Sequence, residues 1–145
     1  MLGRKDYTQD EYDQARGAVA QQVAAFKTLA NLVGKAGGGT KASSAFDEFE
    51  AVYFNNMAIV LDRYFVHRIR AVAGKDGNPI NELELISDSL MNNAGTFRGN
   101  NVIKYVPESS VLKLRVGDTI NLSLDDFERL SDAFFDELKR KFLSA

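Results

Sequence analysis

The chain has 145 residues, with 18 Lys and Arg, 20 Asp and Glu, one His and no Cys. The lack of cysteine excludes disulfides, thiolate metal sites and cysteine nucleophiles, and one histidine excludes a multi-histidine metal site within a single chain. A net charge of -2 provides no overall attraction for nucleic acid or anionic lipid, so we expect neither as a partner. No apolar run approaches the roughly 20 residues that cross a bilayer. These features predict a single soluble, cytoplasmic domain without a metal or cofactor.

The first predicted helix covers residues 9–34 and begins after Thr8. Thr8 and Glu11 have the spacing of a capping box, in which each side chain bonds the backbone amide of the other residue. Apolar residues recur every three or four positions along the helix. They are Tyr12, Ala15, Val19, Val23, Phe26, Ala30 and Val33. The pattern predicts an amphipathic helix with one buried face.

A glycine-rich stretch, residues 34–43, follows this helix. Its three consecutive glycines, residues 37–39, favour a flexible connection between two helices. The stretch lacks the GxxxxGK[ST] spacing and the preceding strand of a phosphate-binding loop. We therefore do not expect a nucleotide site here.

The longest predicted helix covers residues 45–73 and is apolar around most of its circumference. Its apolar residues form two adjacent rows. One row is Phe46, Tyr53, Met57, Val60 and Tyr64, and the other is Phe54, Ala58, Leu61, Phe65, Ile69 and Val72. Because a surface helix has a single apolar stripe, two rows predict that this helix lies at the centre of the fold.

The third predicted helix covers residues 79–93. Asn78 is a favourable N-cap, and Pro79 suits the first helical position, where no amide hydrogen bond is needed. Asp76 and Gly77, immediately before them, are typical of a turn. The sequence therefore predicts a tight turn that leads directly into this helix.

After this helix the period of the apolar residues changes from helical to alternating. Short β-branched or alternating segments predict a small antiparallel sheet of two or three strands across residues 102–122. Ser123 and Asp126 then have the spacing of a helix cap, which predicts a last helix over residues 124–143. The predicted fold class is therefore a mainly helical α+β domain, in which four helices pack around the 45–73 helix.

A narrow polar strip interrupts the apolar surface of the 45–73 helix. Asn56, Arg63, His67 and Arg70 lie on one side of it, and Lys75 follows in the adjoining loop. Two guanidinium groups beside an imidazole suit the binding of phosphate or carboxylate, and His67 is the one candidate for a catalytic proton donor or acceptor. The same residue types also occur where a helix simply meets water. Both interpretations stay open.

Several short motifs in the second half of the chain carry a resemblance. They are DRYFVHR at residues 62–68, GKDGNP at 74–79, VGD at 116–118 and DF at 126–127. In these motifs the chain resembles a set of uncharacterised bacterial, largely actinobacterial, proteins over about residues 58–142. No activity is known for that family, so the resemblance implies a stand-alone domain and assigns no role to any residue.

Two functions are consistent with these features. Long apolar helices in a small chain favour a non-enzymatic interaction or oligomerisation module, whose partner is a second copy or another protein. The alternative is a small-anion binding protein, or an enzyme, that uses the strip of Arg63, His67 and Arg70. Neither a nucleophile nor an orienting carboxylate for His67 can be recognised in the sequence, which favours the non-enzymatic function.

Overall fold

The computed structural model of the protein describes residues 7–37, 39–69 and 72–143, apart from the side chains of residues 66–69. Within this part of the chain, four α-helices form a bundle. They are α1 (Gln9–Ala36), α2 (Gly39–Ile69), α3 (Pro79–Asn92) and α4 (Leu124–Phe142). The predicted number of helices is confirmed, and α2 begins before its predicted start at residue 45.

Side-chain caps define where α1, α3 and α4 begin. The hydroxyls of Thr8 and Ser123 each accept a hydrogen bond from the backbone amide three residues later, at 3.1 and 3.0 Å. The side-chain oxygen of Asn78 accepts two amides at the start of α3, and Pro79 occupies the first helical position. These three caps agree with the prediction because a cap depends on the local spacing of a few residues.

The first two helices form a hairpin that turns at the glycine-rich stretch. α1 ends at Ala36, Gly37 adopts a left-handed conformation with φ of 63°, and α2 begins at Gly39. Glycine suits this cap because a Cβ in the left-handed region is sterically unfavourable. Most of residues 34–43 is therefore helical, and the flexibility of the connection remains a prediction.

The long helix α2 contacts each of the other three helices. Phe54, Ala58 and Leu61, from one predicted row, are completely buried. Val60 and Tyr64, from the other row, are exposed. α2 therefore buries one broad face, and its opposite side meets solvent instead of a further layer.

The predicted antiparallel sheet at residues 102–122 is wrong. In the described residues no strand forms between α3 and α4, so the fold class is all-α and not α+β. An isolated antiparallel bridge joins Thr96 to Thr119, and a short 3-10 turn occupies Pro107–Ser109. Val116, within the predicted sheet, is exposed.

Side chains from the helices take the place of the missing neighbouring strand. The Glu82 carboxylate on α3, only 1% exposed, accepts the backbone amides of Val111 and Leu112 at 2.8 and 3.0 Å. On α2, the Asn55 side chain donates to the carbonyl of residue 120 at 2.8 Å and accepts the amide of residue 122 at 3.1 Å. These bonds satisfy backbone groups that would otherwise require a paired strand.

None of the helices in the described part of the chain combines the length and the apolar character that a bilayer-spanning segment requires.

Candidate interaction surface

The predicted anion-binding residues belong to the C-terminal end of α2 and to the loop that follows it. Arg63 is exposed on α2, and Lys75 is exposed in the loop. The side chain of His67 and the whole of Arg70 lie outside the described residues. Whether these four groups share a site therefore remains a prediction.

Lys75 belongs to a closely hydrogen-bonded turn. The Asn78 amide group donates to the Asp76 carboxylate at 2.7 Å and to the Ala73 carbonyl at 2.8 Å. The bond from Asn78, helped by the charge of Lys141, lowers the pKa of Asp76. Lys141 of α4 also donates to the Ala73 carbonyl at 3.1 Å. The fold thus brings a further cation, absent from the predicted strip, to this turn.

Large apolar side chains are exposed on one side of the α1–α2 hairpin. They are Leu29 and Leu32 on α1 and Phe49 and Val52 on α2. With the exposed Ala25 they form a surface that we call the outer face. Exposed apolar groups that lie together on one surface are typical of interaction sites, whereas single ones are common and carry no meaning.

On α1, the residues of the outer face lie on the flank that is turned away from α4. Val23 and Lys27 line a groove that α1 shares with α4. At 100° per residue, Ala25, Leu29 and Leu32 lie on the other flank of the helix. The outer face is therefore not covered by α4.

Helix α2 likewise has one flank that faces α4 and an opposite flank that does not. Phe54 packs against Phe127 of α4, with ring centroids 5.4 Å apart. Phe49 and Val52 lie on the opposite flank of α2. Because α1 and α2 are antiparallel neighbours, their two flanks away from α4 form one continuous side of the hairpin.

An aromatic cluster joins the two helices beneath the outer face. The Phe26 ring of α1 lies 4.6 Å from Phe54, 5.3 Å from Phe46 and 5.5 Å from Tyr53 of α2. Phe49 stacks on the same ring at 6.1 Å. Pairs at such distances contribute roughly 0.5–1.5 kcal/mol each beyond their burial. The outer face is thus presented by two helices that hold each other in register.

The predicted polar strip continues the outer face along α2. Asn56 and Arg63 follow Phe49 at steps of seven residues, which is close to two full helical turns. The same side of α2 is therefore apolar near the hairpin turn and polar or basic toward the C-terminal end.

The sequence contains a signal for the outer face that lies outside the predicted apolar rows. Leu29 and Leu32 lie outside the apolar row predicted for the first helix, and Phe49 and Val52 lie outside both rows of the second. Positions outside the buried apolar rows are expected to be exposed. Large apolar residues at such positions indicate a contact surface.

Potential metal ligands are not clustered in the part of the chain that the structure describes. Within this part, no group of three or more His, Cys, Asp or Glu side chains is placed to hold a metal ion. We found no family model, curated protein or solved structure that matches the chain. The molecule is thus defined by its fold class, an all-α helical bundle with an exposed apolar hairpin side, and the resemblance to uncharacterised actinobacterial proteins remains a prediction.

Proposed function

We propose that this protein is a non-enzymatic association module that forms a homodimer through the outer face of its α1–α2 hairpin. The observation that carries the proposal is the set of four large apolar side chains exposed together on that face: Leu29, Leu32, Phe49 and Val52. Contact with a second copy would remove this apolar surface from water, which is the main driving force of association.

The charge pattern supports a second copy as the partner. On α1, the side that carries Leu29 and Leu32 has no ionisable residue from residue 18 to residue 36. On α2, the first charged residue at seven-residue steps from Phe49 is Arg63. Asp47 and Glu48 lie beside Val52 at the edge of the face. The uncharged centre of the face can meet an identical centre without burying an unpaired charge, which would be costly. Two-fold homodimers are also the commonest symmetric assembly.

The dimensions of the hairpin suit a dimer interface. Helix α1 has 28 residues, so the hairpin is about 42 Å long and roughly 20 Å wide, which gives about 840 Å² per copy. A stable interface buries about 800 Å² per partner. The apolar part, residues 25–36 with 45–56, covers about 360 Å² of this face. An apolar centre with a polar border is the usual composition of an interface.

Sedimentation equilibrium of the full chain tests the proposal. We expect a monomer–dimer equilibrium that shifts to monomer on dilution. The double variant Leu32→Glu, Val52→Glu should weaken the dimer at least about a hundredfold, because two apolar contacts are lost and two charges face each other. Circular dichroism should show that its helix content is unchanged.

Val102→Glu provides a matched control for Val52→Glu. Both valines are 62% exposed, but Val102 belongs to the loop between α3 and α4 and not to the hairpin. A strict monomer at high concentration would contradict the proposal. So would a dimer that Val102→Glu weakens as much as the double variant does.

Anion binding is the second candidate, and one observation favours it. Lys141, which also pairs with Glu137 at 3.2 Å, joins Lys75 at the turn after α2, near the end of the helix that carries Arg63. A ligand of the native state raises the melting temperature, so inorganic phosphate should stabilise the wild type more than it stabilises Arg63→Ala or His67→Ala. Equal stabilisation of all three proteins would remove this candidate and would leave the dimer proposal unaffected.

A further inference from the structure

A groove of about 280 Å³ lies between α1 and α4, on the side of the hairpin opposite the outer face. Its floor is apolar and is formed by Val19 and Val23 of α1 with Phe127 and Phe135 of α4. The small side chains of Ala20 and Ala24 form part of the α1 wall, and both residues are exposed. Small residues opposite aromatic ones leave the space between the helices unfilled, and the groove opens to solvent past these alanines.

One polar group interrupts the apolar lining. Ser131 of α4 lines the groove and is only 5% exposed. The described residues supply no hydrogen bond to its hydroxyl, and because the oxygen is not among their buried polar atoms without a partner, solvent in the groove reaches it. A ligand in the groove that carries a hydrogen-bonding group can replace this water and bond the hydroxyl.

Two ion pairs bridge the helices at the groove. Arg16 pairs with Asp132 at 3.2 Å, and Lys27 pairs with Glu128 at 3.2 Å. The Arg16 guanidinium also lies 5.0 Å from the centre of the Phe135 ring. Each of the two cations is thus matched by an acid, so the lining has no net charge. This balance favours an uncharged ligand over an anion or a cation.

We propose that this groove binds a small, neutral aromatic molecule that carries one hydrogen-bonding group, of the size and class of a naphthol or an indole. An apolar cavity of roughly 150 Å³ already accommodates benzene, so the groove has room for a two-ring molecule. The rings of Phe127 and Phe135 provide edge or face contacts for the aromatic body. The Ser131 hydroxyl bonds the ligand's single polar group.

Titration of the full chain with 2-naphthol tests the proposal, with NMR chemical shifts or calorimetry as the measurement. We expect saturable binding that is about tenfold tighter than the binding of naphthalene, which lacks the hydroxyl. Ser131→Ala should make the two affinities equal. Tighter binding of the charged 2-naphthoate than of 2-naphthol would contradict the requirement for a neutral ligand.

Two alanine-to-leucine substitutions separate filling of the groove from a general effect of a larger side chain. Ala24→Leu places a larger side chain at the groove and should weaken 2-naphthol binding at least about tenfold. Ala133→Leu makes the same change on the side of α4 that faces away from the groove and should leave the affinity unchanged. The proposal is overturned if the wild type shows no saturable binding, if Ser131→Ala keeps the preference for 2-naphthol, or if both leucine variants bind equally.

Discussion

The α1–α2 hairpin and the segment between α3 and α4 are stabilised by different kinds of contact. In the hairpin, backbone groups bond within each helix, and the aromatic cluster around Phe26 joins the two helices. In residues 93–123, individual side chains of α2 and α3, such as Asn55 and Glu82, bond the loop backbone directly. The hairpin therefore depends on apolar volume, whereas the loop depends on a few hydrogen-bonding atoms.

This difference explains why the hairpin can leave one of its sides uncovered by the rest of the protein. Two helices that bond their own backbones can leave a whole side uncovered, as the hairpin does with its outer face. An irregular segment must find external partners for its amides and carbonyls, so it lies close against the helices that supply them. Three substitutions test this contrast, beginning with the one that has the largest expected effect.

Phe26→Ala should destabilise the protein by about 4 kcal/mol, because it removes a ring at the centre of the hairpin cluster and leaves a cavity. Phe26 is buried and contacts four aromatic rings of α2. Urea unfolding measures the free energy of unfolding. Met91→Ala, at an exposed apolar residue of α3, should cost less than about 1 kcal/mol. Similar costs for the two substitutions would contradict the central role of the cluster.

Asn55→Ala should destabilise the protein by about 2 kcal/mol, since it removes two hydrogen bonds to the backbone of residues 120 and 122. The neighbouring Asn56 is exposed, so Asn56→Ala provides a control with the same change of side chain and an expected cost below about 0.5 kcal/mol. Hydrogen exchange of the Leu122 amide should increase in the first variant only. An unchanged exchange rate would show that Asn55 does not hold this part of the loop.

The smallest expected effect concerns the pH dependence of stability. Burial raises the pKa of Glu82, while its bonds to the Val111 and Leu112 amides and the charge of Arg129 act in the opposite direction. Between the ordinary pKa of glutamate and the raised one, the folded protein binds more protons than the unfolded chain. The free energy of unfolding should therefore fall as the pH rises through this range.

Glu82→Gln removes this titration and should make the free energy of unfolding less dependent on pH over the same range. Urea unfolding at several pH values from about 4 upward provides the measurement. Glu48→Gln, on an exposed residue of α2, is the control and should keep the wild-type slope. Equal slopes for the wild type and Glu82→Gln would contradict the role assigned to this buried carboxyl group.

The error in the predicted fold class has a physical explanation. The alternation at residues 111–116 is compatible with a strand, but a strand also needs a neighbour that satisfies its backbone. Here Glu82 satisfies Val111 and Leu112 from 29 and 30 residues away. No local pattern marks a buried glutamate on α3 as the partner of a distant loop.

The candidate sites were predictable to different degrees. Arg63 could be selected from residue type and helical spacing, and Lys75 from its place in the adjoining loop. The approach of Lys141 to the same turn depends on how α4 packs. Ser131 has the sequence context of an ordinary helical serine. Its place in an apolar groove follows only from the gap that α1 leaves beside α4.

The sequence by itself determined the four helices and the caps of three of them, because apolar period and capping depend on residues within one or two turns. The tertiary structure decided that residues 93–123 form a loop and that one side of the hairpin stays uncovered. Both outcomes depend on where α3 and α4 lie relative to α2. The local sequence cannot specify those positions, because each depends on contacts between residues far apart in the chain.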